Sequence, residues 1–211
     1  LCAGQYSVSV PEVTKILASR FVNVTKTWSN TAEGVVFTLR LPRIIGAVLV
    51  GSALSLSGAA YQGVFKNPLV APDLLGVSSG ACVGASVAIL LHLNSFGVQA
   101  MAFVAGILAV GLTLFIPRLI KNTNMTMLVL SGIIVKGIMD SVMGIIKYVA
   151  DPETELQSIT YWQLGSLTKV LPKDLFTVGP VIVAASVIIF LLRWRINILS
   201  LGDREAKTLG V

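Results

Sequence analysis

The chain has 211 residues, of which 55% are hydrophobic and only 12% are charged. Soluble domains carry about 25% charged residues, and a mean hydropathy of +0.84 also excludes an ordinary soluble domain. The net charge is +6, but the basic residues are scattered between apolar stretches, which argues against nucleic-acid binding. The composition predicts an all-α, polytopic membrane protein.

The chain begins with a segment that differs from the rest. Residues 1–10 are predicted to be the end of an apolar helix, and residues 11–43 an extracytoplasmic segment. Within the second range, apolar Val13 and Ile16 alternate with polar residues such as Lys15 at helical spacing. This pattern indicates a short amphipathic helix that lies at a surface and does not cross the membrane.

Residues 44–194 are predicted to hold the transmembrane helices. The first span contains 22 residues without a charge, which is long enough to cross a bilayer. Two prolines, Pro68 and Pro72, then prevent a continuous helix and indicate a short turn. The predicted spans are Ile44–Phe65, Leu74–Leu91, Phe96–Ile116, Met127–Val149 and Leu175–Trp194.

Glycines recur at every fourth residue in the second predicted span. Gly76, Gly80 and Gly84 are predicted to form one face against which another helix packs closely. The same stretch matches the pattern G-x-S-x-G around Ser78, but a hydrolase nucleophile requires a strand-to-helix turn and a nearby base. The chain's one histidine, His92, lies at the far end of this span, so helix packing is the favoured interpretation.

Three charged residues, Lys136, Asp140 and Lys147, interrupt the fourth predicted span. Lys136 and Asp140 are four residues apart and can face each other on one side of a helix. Because a charge in the middle of a membrane is costly, the pair is expected to face protein or water. A structural pair and a pair that lines a pathway both remain open.

The distribution of Lys and Arg predicts the orientation, because cytoplasmic loops carry an excess of basic residues. One alternating set of connections is rich in basic residues and is assigned to the cytoplasm. The other set, with His92 and the acidic connection 150–173, is assigned to the outside, as are residues 1–43. The cytoplasmic set holds Lys66, Arg118, Lys121, Arg193, Arg195, Arg204 and Lys207.

Many fixed spacings are concentrated between residues 40 and 81. The sequence RLPR is followed by SG-x-x-x-Q and then by NPL-x-x-P-x-x-LG-x-x-x-GA. This pattern resembles the FecCD-type membrane permeases of ABC importers for iron–siderophores, haem and vitamin B12. The matching residues are Arg40, Leu41, Pro42, Arg43, Ser57, Gly58, Gln62, Asn67, Pro68, Leu69, Pro72, Leu75, Gly76, Gly80 and Ala81.

The resemblance implies an architecture and a set of partners. The family has ten spans per subunit and works as a homodimer in the bacterial cytoplasmic membrane. Its partners are an ATP-binding subunit and an extracytoplasmic substrate-binding protein. The present chain would be the N-terminal part of such a permease, with about five complete spans and a remnant. No catalytic residue, metal site or bound cofactor is expected on it, and ATP would bind to the partner subunit.

The resemblance also implies roles for individual residues. Arg40 and Arg43 would dock the binding protein, since an arginine meets a carboxylate in two hydrogen bonds; interfacial anchoring is the plainer alternative. A cytoplasmic gate would be formed by Asn67, Leu69, Met125 and Thr126. Residues 195–211 would form a cytoplasmic coupling segment that docks into the ATP-binding subunit. Its residues are Leu201, Gly202, Asp203, Glu205, Ala206, Leu209 and Gly210.

Two other functions are weighed against an ABC importer for an iron–siderophore, haem or cobalamin-type chelate. A secondary transporter or channel would need charged or unwound sites at mid-membrane, and Lys136 with Asp140 is the candidate. An intramembrane serine hydrolase would depend on Ser78. Copurification with an ATPase separates the importer from the first alternative, and labelling by a fluorophosphonate probe tests the second.

Overall fold

A computed structural model describes residues 1–122 and 124–201, and all regular structure in these residues is helical. The prediction of an all-α, polytopic membrane protein is confirmed. A π-helical stretch (Val35–Arg40) joins α2 to α3, and a 3-10 helix (Pro72–Leu75) precedes α4. The α-helices are α1 (Val10–Ala18), α2 (Asn30–Gly34), α3 (Leu41–Phe65), α4 (Val77–Leu90), α5 (Ser95–Leu119), α6 (Met125–Val149), α7 (Glu155–Leu164), α8 (Pro172–Leu191) and α9 (Arg193–Leu201).

Four helical stretches of the described chain are long and apolar enough to cross a membrane by length and composition. The first is the continuous helix from α2 through the π-helical stretch to the end of α3. Its length of 36 residues exceeds the 20 or so that a bilayer requires. The four stretches are Asn30–Phe65, Ser95–Leu119, Met125–Val149 and Pro172–Leu191.

The second predicted span, Leu74–Leu91, is not one helix. Its first residues belong to the 3-10 helix, and Gly76 then adopts a left-handed conformation with φ of 75°. Only after this residue does α4 begin, and it has 14 residues, or about 21 Å. A left-handed residue cannot continue a right-handed helix, and glycine adopts it without steric cost.

The N-terminal segment also differs from its prediction. Residues 1–9 are not helical, where the end of a helix was predicted over residues 1–10. The amphipathic helix is present as α1, but its apolar face is buried in protein. Val13 and Ile16 pack in a cluster with Trp28 and Val36. Burial in this cluster explains why α1 is helical although nine residues are too few for a stable isolated helix.

The described chain separates into two compact units. The first comprises Leu1–Ala53 and Ser166–Ile188. In it, Gly46 of α3 faces the side chains of Val170 and Leu175, because a Cβ at Gly46 would lie 3.3 Å and 3.7 Å from them. The small residue thus allows the start of α8 and the preceding loop to pack on α3.

The second unit comprises Leu54–Gly165 and the chain from Ile189 onwards. Its centre is α4, which packs on α5, α6 and α7. Asn94 and Asn124 each cap the following helix, since their side-chain oxygens accept the N–H groups of Gly97 at 2.9 Å and Met127 at 2.8 Å. These caps satisfy backbone donors that the first helical turn leaves free.

Candidate functional site

The turn between α3 and the 3-10 helix is built by Asn67. Its Oδ1 accepts the N–H of Leu69 at 2.9 Å, and its carbonyl oxygen accepts the N–H of Val70 at 3.3 Å. The preceding residue, Lys66, has a positive φ of 52°. This local bonding holds Leu69 on the surface, where it is 89% exposed.

The other two residues predicted for a cytoplasmic gate begin α6. Met125 and Thr126 are exposed in its first turn, which Asn124 caps. Each half of the predicted gate therefore has its own backbone anchor, the Asn67 turn in one case and the Asn124 cap in the other. All four side chains are exposed, and Leu69 is the more exposed of the two large hydrophobic ones.

The break before α4 is held by α5 and α6, and we call it the pinned break (residues 72–76). Thr113 Oγ1 of α5, which is fully buried, donates to the carbonyl oxygen of Leu75 at 3.0 Å. On the other side, Gly132 of α6 lies directly against the carbonyl oxygen of Leu74, which leaves no room for a Cβ. A Cβ at Gly76 would lie 3.5 Å from the backbone N of Lys136.

An ion pair adds to the contact between the pinned break and α6. Lys136 Nζ lies 3.9 Å from Asp73 Oδ2, and both side chains are about half exposed. The predicted pairing of Lys136 with Asp140 is thus replaced by a pairing with Asp73. The physical reason is the approach of the 3-10 helix to α6, which places a carboxylate from outside the helix within reach.

Gly80 and Gly84 lie where α4 crosses α5. A Cβ at Gly80 would be 2.5 Å from Ala109 Cβ, and one at Gly84 would be 2.6 Å from Ala105 Cβ. Both residues are buried. Gly76 does not share this contact, because it faces α6 from the left-handed position. The three glycines therefore serve two interfaces, although their spacing predicts one face.

Arg40 is bonded within its own unit. Its guanidinium donates to the carbonyl oxygens of Leu1, at 2.6 Å, and of Tyr6. A longer contact of 3.5 Å reaches the carbonyl oxygen of Cys2. Arg43, three residues on, has a buried Nε without a hydrogen-bond partner. The two arginines that were predicted to act together thus differ in their surroundings.

The extracytoplasmic face predicted around residues 150–173 carries α7. His92 Nε2 lies 3.5 Å from Glu155 Oε1, and Ile159 is buried in a cluster with Met143 and Ile146. His92 lies at the opposite end of α4 from Ser78 and is paired with Glu155. The Ser78 hydroxyl and the His92 imidazole are therefore not brought together as the nucleophile–base pair of a serine hydrolase.

The predicted coupling segment lies mostly beyond the described residues. Leu201 is the last residue of α9 and is exposed. Near it, a Cβ at Gly63 would lie 3.4 Å from Ile196 Cγ2, so α9 packs against the end of α3. The residues outside the described part are Gly202, Asp203, Glu205, Ala206, Leu209 and Gly210.

Sequence reasoning missed Thr113 and Gly132 as residues of the pinned break. Thr113 is the hydroxyl residue near the end of an otherwise apolar span, which is a signal for an interhelical hydrogen bond. Gly132 is one of several glycines in α6, and others in the same helix, such as Gly137 and Gly144, face open space. The sequence alone does not show which of these glycines packs against another segment.

Several apolar helices long enough to span a bilayer, with an interrupted helix pinned between two of them, define a multi-pass α-helical membrane protein. The chain belongs to the FecCD transport family, whose model matches residues 1–211. The motif residues around the pinned break had predicted this family, and the prediction is confirmed.

Individual relatives are similar along most of the chain. It is 35% identical over 209 residues to the molybdate import system permease protein MolB of Haemophilus influenzae, covering 99% of this chain and 61% of that protein. It is 40% identical over 177 residues to a probable iron chelatin transport system permease protein of Helicobacter pylori, covering 84% and 53%. The chain thus spans between half and two thirds of the length of these relatives.

A solved structure has the same fold. It is an inward-facing ABC transporter that is assigned to the metal-chelate type, with a TM-score of 0.85 and 33% sequence identity. The match covers 100% of this chain and 62% of that one. The arrangement of helices described above is therefore shared with a transporter over the entire chain.

Proposed function

We propose that this chain forms part of the membrane permease of an ABC importer that carries a metal chelate across the bacterial cytoplasmic membrane. The observation that carries the proposal is the likeness, over the whole chain, to a transporter assigned to the metal-chelate type. Membership of the FecCD transport family supports it. The permease performs no covalent chemistry, and ATP hydrolysis takes place on a partner subunit.

The proposed cargo is an iron–siderophore, haem or cobalamin-type chelate. Relatives in support of these classes are named for iron chelatin, hemin and cobalamin. A relative of similar identity is named for molybdate, so molybdate belongs among the compounds that an uptake assay compares. The binding protein that delivers the cargo supplies much of the selection.

The proposed inner gate uses Leu69, with Asn67 as the residue that holds its turn. An exposed leucine on a hydrogen-bonded turn can narrow a pathway when a second copy of the permease presents the same residue. Met125 and Thr126 would form a further constriction at the start of α6. Closure by apolar side chains suits a large cargo, because such side chains make no specific hydrogen bonds that would retain it.

The outer and the inner ends of the transmembrane helices would bind different partners. On the outside, Arg43 would pair with a carboxylate of the binding protein, with Arg40 holding the surrounding segment in place. On the inside, the residues from Leu201 to Gly210 would dock on the ATP-binding subunit. Ala206 and Leu209 are three residues apart and would share one helical face.

Reconstitution with the ATP-binding subunit tests the proposal. In proteoliposomes that hold the full-length permease containing this chain, we expect ATP-dependent uptake of one of the chelates. We also expect the ATP-binding subunit to copurify with that permease. The Ala206→Glu variant should lose copurification, while Lys207→Gln, at the next residue in the sequence, should retain it. Uptake driven by an ion gradient without the ATP-binding subunit would favour a secondary transporter and contradict the proposal.

A further inference from the structure

The turn that follows α1 leaves two apolar side chains uncovered. Phe21 is 89% exposed and Val22 is 64% exposed. Their backbone N–H groups both donate to the carbonyl oxygen of Ala18 at 2.9 Å, and the adjacent Arg20 is also exposed. These three residues, which we call the α1 tip (residues 20–22), therefore stand on a hydrogen-bonded turn.

The apolar residues in the middle of α1 are buried in protein, and at its N-terminal end Val10 is exposed. Val13 is 4% exposed and Ile16 is completely buried, in the cluster that also contains Trp28. A helix that rested flat on lipid would keep this face for the membrane. At the C-terminal end of α1, the apolar area that remains for a partner is that of Phe21 and Val22.

The height of the α1 tip above the hydrocarbon core can be estimated from its contact with the continuous helix Asn30–Phe65. Arg20 Cζ lies 4.8 Å from the centroid of the Phe37 ring. Phe37 precedes Ile44, the start of the uncharged run, by seven residues, or about 10 Å of helix. Lipid headgroups extend roughly 5–8 Å beyond the hydrocarbon core on each side. A helix of this length crosses the bilayer with a tilt, and at about 40° from the bilayer normal the rise falls to about 8 Å, so the tip is then level with the outer edge of the headgroups.

The charge of this segment suits an anionic lipid surface. Residues 1–43 carry five basic and two acidic residues. One of the basic residues, Lys26, is neutralised by Glu33 at 2.8 Å, and Arg40 is bonded to backbone carbonyls. Arg20 remains at the tip, with its guanidinium stacked on an aromatic ring, which leaves its N–H edge able to donate to phosphate.

We propose that the α1 tip inserts into the headgroup region of an anionic phospholipid membrane. Phe21 and Val22 enter towards the acyl chains, while Arg20 donates hydrogen bonds to lipid phosphate. The tip thereby fixes the outer segment of the chain against the bilayer, next to the start of the first span. The arrangement combines buried apolar area with electrostatic attraction, the two terms that bind amphipathic segments to membranes.

Depth measurement by electron paramagnetic resonance tests this proposal. The protein, with Cys2→Ser and Cys82→Ala, is reconstituted in nanodiscs of phosphatidylglycerol and phosphatidylethanolamine. A spin label at Val22→Cys should collide with oxygen several-fold more, relative to a water-soluble nickel chelate, than a label at Thr14→Cys on the exposed side of α1. Equal ratios at the two sites would overturn the proposal.

A second variant tests the electrostatic part. Arg20→Gln should reduce the immersion of the Val22 label, and so should replacement of phosphatidylglycerol by phosphatidylcholine. If neither change alters immersion, the role of Arg20 is refuted. If the label is immersed in neither lipid but becomes shielded on addition of a periplasmic extract, the tip binds protein and the proposal fails. With Trp162→Phe and Trp194→Phe in the background, the fluorescence of Trp28, in the cluster that buries α1, confirms that each variant is folded.

Discussion

Arg40 shows how a side chain expected to meet a partner can be engaged inside its own chain. Its guanidinium donates to the carbonyl oxygens of Leu1 and Tyr6, so it holds the first residues of the chain against the helix. A guanidinium already engaged by backbone oxygens has fewer donors for a carboxylate on another protein. We therefore expect Arg43 to carry most of the binding energy at the proposed docking site.

Replacement of Arg40 by alanine should release the N-terminal residues. Hydrogen bonds to a charged group are worth about 1.5–3 kcal/mol each, and their loss leaves residues 1–6 without an anchor. In a Cys82→Ala background, we expect Cys2 to react faster with a maleimide in Arg40→Ala than in the parent. Arg43→Ala is the control and should leave the rate unchanged. Equal rates in both variants would contradict the anchoring role.

Replacement of Gly84 by valine should disrupt the packing of α4 on α5. A Cβ at Gly84 meets the carbonyl oxygen of Met101 and the Cβ of Ala105, and a helix backbone cannot move aside as a flexible side chain can. Overpacking costs roughly 1–3 kcal/mol or more. Gly111→Val in α5 is the matched control, because nothing lies within 4 Å of a Cβ there. We expect thermal unfolding in detergent to shift downwards for Gly84→Val alone.

At the scale of secondary structure, the pinned break is the feature that separates this chain from a set of plain spans. The pinned break follows the turn that exposes Leu69, and it contacts α6, the helix that begins at Met125. Thr113 and Gly132 fix its backbone, and the pair Asp73–Lys136 adds a charged contact. Movement of the turn would therefore be passed to α6 through a rigid segment rather than absorbed by a flexible loop.

The ion pair between Asp73 and Lys136 should be recovered by exchange of the charges. Asp73→Lys or Lys136→Asp alone places two like charges together, and each should lower the thermal unfolding temperature. The double variant Asp73→Lys/Lys136→Asp restores opposite charges and should recover much of the loss, with a coupling of about 1 kcal/mol. The same cycle between Lys136 and Asp140 should show less coupling. If the cycle between Lys136 and Asp140 showed the larger coupling instead, Lys136 would be paired with Asp140, as the sequence had predicted.

The turn before α7 should weaken in acid. Asp151 has a pKa held below its usual value, first by the hydrogen bond that its Oδ2 accepts from Thr154 Oγ1 and then by the backbone N–H of Glu153. A lowered pKa means that the folded state favours the carboxylate. Its stabilising contribution is complete above the ordinary pKa of about 3.9 and is lost as the pH falls through the lowered value.

Hydrogen exchange of α7 checks this pH dependence. After correction for intrinsic rates, the first turn of α7 should lose protection below about pH 4 in the parent protein. The Asp151→Asn variant should show no such loss, and Thr154→Ala should shift it to higher pH. Glu153→Gln keeps the backbone donor and should behave like the parent. An unchanged profile in Asp151→Asn would show that another group titrates.

Several elements were predictable because each depends on a local pattern. Long apolar runs predicted α3, α5, α6 and α8 to within a few residues, and an amphipathic pattern at helical spacing predicted α1. The break at Gly76 was not predictable, because the sequence does not distinguish a glycine in a left-handed conformation from a glycine that packs against another helix. Its conformation depends on contacts with Lys136, sixty residues further along the chain. Asp73 is also far from Lys136 in the sequence, and for this reason the nearby Asp140 was predicted as its partner instead.

At the scale of the whole molecule, the proposed importer requires that its two sets of connections face opposite sides of the membrane. The pinned break and Leu69 must lie inside, where conformational change starts at the ATP-binding subunit. The acidic connection with α7 must lie outside, where the binding protein delivers cargo. The basic residues in the connections after the first span predict this orientation, because seven lie in those assigned to the cytoplasm and only Lys169 and Lys173 lie in those assigned to the outside.

Single-cysteine labelling in inverted and right-side-out vesicles checks the orientation. In a background with Cys2→Ser and Cys82→Ala, Leu69→Cys should react with a membrane-impermeant maleimide only in inverted vesicles. Glu153→Cys, in the acidic connection, should react only in right-side-out vesicles. Both side chains are exposed, so poor reaction on one side reports on the bilayer rather than on burial. Labelling of both positions from one side would place the proposed gate and the acidic connection on the same side of the membrane, and it would contradict the predicted orientation.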